Sequence, residues 1–296
     1  MTKILSIPLV SLFLLHLTGC SSTHVRFAAI GDTPYYESDT ELLAVTEALE
    51  KMAMAELPFV VHVGDIMRGR TNCERELYEM RASVFSKSPI PFLITIGDNE
   101  FNDCKNSVKS QALFREVILN NPPVHQFVTG KDEKFDGLYI TRQREMIENA
   151  AWSYNGVDFI MLVLPDLPGN YPLDDESINK ILNANTVFLA SYFKKAIQNK
   201  SEAVVLIMHS SPVTCGLKAC FDFVGIIEKE VRKFKKPVLL INGSNHDREF
   251  IDSGYLDLAN LSHLRPGNEP ETIWPEVIFL NESNKFIIKW HEAPIE

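Results

Sequence analysis

Apolar runs that stop abruptly at a polar turn recur along this chain. They are "FAAIGD" (27–32), "FVVHVGD" (59–65), "FLITIGD" (92–98), "VVLIMHSS" (204–211) and "VLLINGSNHD" (238–247). The runs are continuous rather than alternating, which is the pattern of strands buried on both faces. Between the first three lie stretches of helical period. In Thr40–Glu56 the apolar positions are Leu42, Leu43, Leu49 and Met52, with Thr46 on the same face and Ser38, Asp39 and Thr40 available as caps. Cys73–Ser86 is the second. Strands over Val25–Ile30, Phe59–Val63 and Phe92–Ile96 then form a β-α-β-α-β series, which implies a parallel sheet. Further on, the pattern predicts a helix over Ser107–Leu119, a loop with Pro122 and Pro123, and a hairpin over 152–165 turning at Asn155-Gly156. A long helix over Ser177–Asn199, strands over Val204–Met208 and Val238–Ile241, and a closing hairpin of Val277–Leu280 with Phe286–Trp290 follow. No repeat or linker divides the chain, so the expectation is one α/β domain.

Composition changes this picture little. With 296 residues, 45% of them hydrophobic, the chain can bury a sizeable core. The formal net charge of −10, with no basic block, excludes nucleic acid as a partner. It also gives no electrostatic hold on an anionic membrane.

The N-terminus adds a different contact. Lys3, the apolar stretch Ile4–Leu17 and "LTGC" (17–20) resemble the lipobox of a bacterial lipoprotein signal. That resemblance implies a signal peptide over 1–19, lipid (palmitate) on Cys20, a tether over 20–24 and a domain over 25–296. Ser21, in place of the aspartate that retains such proteins at the inner membrane, points to the outer membrane, facing the periplasm. The alternative is an ordinary secretory signal that happens to contain Cys20. Four cysteines remain: Cys73, Cys104, Cys215 and Cys220. In an exported protein they read as two disulfides with three possible connectivities. Cys73 and Cys104 follow neighbouring strands, and Cys215 and Cys220 could close a local loop, so these two pairings are favoured.

Ligands of open α/β sheets bind beyond the carboxyl ends of the strands. Asp32, Asp65, Asp98 and His209 all sit there, and His246 lies a few residues past its strand. Three carboxylates brought together repel one another unless a cation neutralises them. Each Gly-Asp alone serves equally well as a turn cap.

Taken in order, "GDTP", "HVGD", "GDNE", "MHSSP" and "GSNH" resemble the calcineurin-like metallophosphoesterase superfamily, over about residues 25–250. The resemblance implies a four-layer α/β/β/α sandwich and two divalent cations bridged by Asp65. One cation would take Asp32, Asp65 and His246; the other Asp65, Asp98 and His209. Mixed Asp/His ligation suits Mn, Fe, Zn or Mg. The implied activity is phosphoester hydrolysis on a phosphorylated small molecule or envelope component. Three motif positions depart from the family: Pro34 and Ser244 replace histidine ligands, and Asn99 replaces the catalytic histidine. The departures leave a second expectation open, a non-catalytic binding or scaffold lipoprotein on the same fold. Arg68 and Arg248 follow site loops and could take a phosphate oxygen or make surface ion pairs. Glu100 could join Asn99 in catalysis, hydrogen-bond a ligand or cap the next loop. His62 could support the bridging loop or pack within its strand.

Overall fold

A computed structural model describes residues 24–120, 133–135, 138–167, 169–214, 217–270 and 272–292. The expected signal peptide, Cys20, the Pro122–Pro123 loop and Cys215 lie outside the described residues.

The first half runs β1 (Val25–Ile30), α1 (Asp39–Met54), β2 (Val60–His62), α2 (Arg75–Phe85), β3 (Phe92–Ile94) and α3 (Ser107–Leu113). Ser38 caps α1 as expected, accepting the Glu41 N–H at 3.3 Å. The helix expected over 107–119 continues past α3 as a π-helical turn, Phe114–Ile118. Then come β4 (Glu133–Phe135), β5 (Leu138–Arg142), β6 (Ala150–Tyr154), β7 (Val157–Met161), α4 (Asp175–Asn199) and β8 (Ala203–Ile207). The chain closes with α5 (Lys218–Phe234), β9 (Val238–Ile241), β10 (Glu249–Ile251), β11 (Leu261–Arg265), β12 (Ile273–Leu280) and β13 (Lys285–Glu292).

The strands form two sheets, ordered β13-β12-β1-β2-β3 and β10-β11-β9-β8-β7-β6-β5-β4. β1, β2 and β3 are parallel, as are β7, β8 and β9. Three separate apolar clusters show the layering. Ala28, Ile30, Val60 and Phe92 pack under α1 and α2, against Leu49, Tyr78 and Phe85. Phe27, Ala29, Val61 and Val63 face the other sheet, meeting Phe159, Val205, Ile207 and Ile241. The outer face of that sheet packs Leu206 and Leu240 on Leu189, Phe193 and Ile227 of α4 and α5. Helix, sheet, sheet, helix is the four-layer sandwich. It explains why β1 reads as one apolar run: alternate side chains go to opposite cores, and both are dry.

Several elements were not anticipated. α5 carries Phe223, Ile227, Val231 and Phe234 at helical spacing, all buried, a signal present in the sequence but overlooked. β5 and β11 add to the second sheet, and the closing hairpin is longer than expected, with β12 pairing antiparallel to β1. Short edge strands carry too few residues for a period to stand out.

Cys73 and Cys104 are joined by a disulfide with Cα atoms 5.8 Å apart. It ties the loop after β2 to the loop after β3. Closing a loop of 31 residues stabilises the fold by about 4 kcal/mol in the chain-entropy account. Cys220 is disulfide-bonded too.

Candidate metal centre

The carboxyl ends of β1, β2, β3, β8 and β9 all open at the same edge of the sandwich. The loops they feed are stitched together by the backbone. Asp32 N–H donates to the Gly64 carbonyl at 2.9 Å, and Gly243 N–H to the His209 carbonyl at 2.7 Å. Asp32, Asp65 and Ser244 each turn the chain at positive φ (54°, 60° and 67°). Aspartate tolerates this region better than most residues; serine there costs more. Gly97 allows a close approach, since a Cβ there would collide with the Asp65 backbone and carboxylate.

Asp65 faces two ways. Its Oδ2 looks toward Asp32 and His246: the Tyr35 hydroxyl sits among them, 3.2 Å from Asp65 Oδ2, 3.3 Å from Asp32 Oδ1 and 2.9 Å from His246 Nε2. Its Oδ1 looks toward His209 Nε2, 3.4 Å away, which in turn is 2.7 Å from Asp98 Oδ1. One ligand atom each from Asp32, Asp65 and His209 lies within 4.8 Å of the others. The structure thus brings together all five expected metal residues, with Asp65 central.

The His209 ring shows what this geometry requires. Its Nδ1 lies 2.9 Å from the Val63 carbonyl and donates to it, which leaves the Nε2 lone pair aimed at Asp98. Two lone pairs cannot face each other at 2.7 Å without a proton or a metal cation between them, and neither atom has another hydrogen-bond partner. Asp32 Oδ2 is likewise buried and unpartnered. The donor set therefore fits a divalent metal: buried, rich in oxygen and imidazole, and crowded with carboxylates.

The electrostatics agree. Burial raises the Asp65 carboxyl well above the carboxylate range; His209 opposes this, and Asp98, Glu100 and Asp32 add to it. Burial raises Asp32 as well, against His209 and His246. Asp98 is also penalised by burial, but the adjacent His209 more than offsets it and leaves Asp98 below its ordinary range. Burial disfavours the His209 cation, yet Asp65 and Asp98 outweigh it and raise the ring well above normal. Without a metal, the site takes up protons to balance its carboxylates.

A polar cavity of about 390 Å³ lies over these groups, lined by Asp65, Asp98, Asn99, His246, Tyr36 and Arg68 among others. A larger cleft of about 550 Å³ runs over the Cys73–Cys104 bridge, away from the candidate ligands. The Arg68 guanidinium stands 5.2 Å from the centroid of the exposed Tyr36 ring. Asn99 is held in the wall: its Nδ2 donates to the Met67 carbonyl at 2.8 Å, and its N–H to Asp65 Oδ1 at 3.0 Å.

Two expected residues are placed elsewhere. Arg248 does not line this cavity; it contacts Glu269 and Thr272 at 3.3 and 3.4 Å. Glu100 is fully buried beneath the loops and is not among the cavity-lining residues. It accepts the N–H groups of Gly97, Asp65 and Ile66 at 2.6, 3.0 and 3.1 Å. Burial pushes it up to about 7, although those N–H groups favour the carboxylate. Glu100 is thus a positioning residue for the Asp65 loop. His62 supports the bridging loop, as one reading expected, and the loop after β1: Nδ1 accepts the Gly64 N–H at 3.1 Å and Nε2 lies 2.8 Å from the Thr33 carbonyl.

Two site residues escaped sequence reasoning. Tyr35 is one. Asp166 is the other: it lines the cavity, accepting from Ser244 Oγ at 2.7 Å and from Ser210 Oγ. Asp166 follows β7 as Asp32 follows β1, so the signal of a carboxylate after an apolar run was there.

No family model and no curated protein matches the sequence. Solved structures do. A dimetal phosphatase from Danio rerio aligns with a TM-score of 0.57 at 13% identity, over 86% of this chain and 94% of that one. TT1561 of Thermus thermophilus aligns at 0.51 and 12%, over 90% and 99%. A purple acid phosphatase from yellow lupin (Lupinus luteus) seeds aligns at 0.50 and 11%, over 90% of this chain and 53% of that one. The chain has the calcineurin-like metallophosphoesterase fold. At 11–13% identity the likeness is one of fold. At the strand ends Pro34 and Ser244 offer no imidazole, while Tyr35 and Asp166 stand beside them.

Proposed function

We propose that this chain is a metal-dependent phosphoester hydrolase acting on a phosphorylated small molecule or envelope component. The observation that carries the proposal is the close contact between His209 Nε2 and Asp98 Oδ1, 2.7 Å apart and joined through Asp65 to a second group of donors. Asp32, Asp65 and His246 would hold one cation; Asp65, Asp98 and His209 would hold another. Bound divalent cations would supply Lewis acidity to a phosphate oxygen and generate hydroxide from water near neutral pH. Among the described residues lining the cavity, Arg68 is the permanent cation, and it would take a non-bridging phosphate oxygen. Ser244 donates its hydroxyl proton to Asp166, so it orders the cavity wall. A cavity of about 390 Å³ suits a small phosphorylated molecule.

A binding or scaffold protein that had lost its chemistry would no longer need buried, unpartnered donors at three carboxylate and imidazole atoms. Metal content separates the two roles. The protein purified without added metal, then loaded with Mn²⁺ or Zn²⁺, is expected to bind a divalent cation and hydrolyse a phosphoester. Asp65→Asn is expected to stay folded, bind metal at least about a hundredfold more weakly, and lose activity with it. Metal below about one-tenth equivalent after loading would support the scaffold. Full activity in a folded Asp65→Asn protein would sink the assignment.

The same proposal places the enzyme on the periplasmic side of the outer membrane, held by lipid on Cys20. "LTGC" (17–20) supports it. Among the described residues no helix is long and apolar enough to cross a membrane. Several acyl chains on Cys20 would hold the protein stably on the bilayer. Cys20→Ser is expected to abolish labelled-palmitate incorporation and membrane recovery; equal labelling in both proteins rejects the anchor.

A further inference from the structure

Pro34 leaves the first donor group one imidazole short, and the next side chain occupies the space. The Tyr35 Oη lies within 3.3 Å of three electron-pair donors, Asp32 Oδ1, Asp65 Oδ2 and His246 Nε2. A hydroxyl has one hydrogen to share between the two carboxylate oxygens. Four donor atoms therefore converge from four side chains, and hydrogen bonding satisfies only part of the set.

The placement of the phenol is built by the surrounding fold. Glu41 of α1 accepts the N–H groups of Tyr35 and Tyr36, both at 2.6 Å. The Tyr35 carbonyl lies 3.4 Å from Nη2 of Arg81, a buried α2 residue whose Nε donates to the Ile66 carbonyl at 2.6 Å. The ring meets His246 edge-on, with centroids 5.2 Å apart. Backbone on both sides of the phenol is thus anchored to the two helices that flank the site, and the ring is directed inward.

Resting on the metal-centre reading above, we propose that Tyr35 is a ligand of the first cation, completing an Asp32–Asp65–His246–Tyr35 donor set. The ligand lost at Pro34 is replaced by an oxygen from the following residue. On binding the cation the Tyr35 hydroxyl releases its proton to solvent and ligates as phenolate, a harder donor than imidazole, so the set favours metals that accept oxygen ligands.

Copper tests this directly, because Cu²⁺ binds N/O sites most tightly of the first-row divalent ions. Metal-free protein loaded with Cu²⁺ is expected to show a visible tyrosine-to-copper charge-transfer band. The band should persist in Tyr36→Phe and vanish in Tyr35→Phe. Tyr35→His, which restores an imidazole near the lost position, should also lack the band while still binding copper, so the result does not depend on one variant folding. Zn²⁺ affinity should fall at least about tenfold in Tyr35→Phe. Copper bound to wild type without a band, or a band that survives in Tyr35→Phe, overturns the ligand assignment and leaves the metal centre standing. Wild type that binds neither Cu²⁺ nor Zn²⁺ overturns the metal centre itself, and this ligand with it.

Discussion

Aryl phosphates and phosphoanhydrides are expected to be hydrolysed about 10²–10⁴-fold faster than alkyl phosphates of similar size, the factor that general acid catalysis normally contributes. Asn99 stands where the superfamily resemblance places a catalytic histidine. An amide donates a hydrogen bond but releases no proton near neutral pH. Its Nδ2 is in any case directed at the Met67 carbonyl. Glu100, the neighbouring carboxyl, is buried under the loops and accepts three backbone N–H groups, so it does not reach a leaving group in the cavity. An alkoxide must then depart without protonation, whereas a phenolate or phosphate departs readily. A plot of log kcat/KM against leaving-group pKa should be steep and negative, and Asn99→His should flatten it. A flat plot in wild type, with chemistry rate-limiting, would assign the proton to another source, a metal-bound water first.

Acid is expected to destabilise the protein through His62 by about 1.4 kcal/mol for each pH unit below about 6. The ring is fully buried. Nε2 donates to the Thr33 carbonyl at 2.8 Å, and Nδ1 accepts the Gly64 N–H at 3.1 Å. Phe85 and Phe92 flank the ring at 5.6 and 5.7 Å between centroids. This arrangement uses one tautomer of the neutral ring; a second proton would break the Gly64 bond. Burial pushes the ring down to about 3 from an ordinary 6.5, although the Thr33 carbonyl works the other way. As pH falls, the unfolded chain takes the proton first and the folded chain resists until about 3. The stabilisation is therefore complete above 6.5 and is lost between 6.5 and about 3, a total of up to about 5 kcal/mol. His62→Gln keeps a donor for Thr33 but does not titrate. Denaturant unfolding of both metal-free proteins across this pH range isolates the effect. Stability curves that run parallel would contradict it.

Strand ends were the most legible part of this chain. A strand buried on both faces must be apolar throughout, so its end is marked by the first polar residue, and in a parallel sheet that end is where ligands bind. Asp32, Asp65, Asp98 and His209 stand out for that reason. The third-strand aspartate also lies close enough to Cys104 for adjacent loops to suggest the disulfide to Cys73. α5 was equally legible from Phe223, Ile227, Val231 and Phe234 at helical spacing, and was overlooked. Other assignments needed the folded chain. Glu100 and Arg248 look alike in sequence as charged residues after site loops, but one is buried under backbone N–H groups and the other is turned outward to Glu269. Tyr35 reads as a loop tyrosine until Glu41 and Arg81, from two different helices, direct its ring inward. Asp166 reads as a turn aspartate until Ser210 and Ser244, from the ends of β8 and β9, meet it. Hydrophobic period is a local property and can be read along one segment. The direction of a polar side chain is set by partners far away in the chain, and those partners are neighbours only after the two sheets have packed.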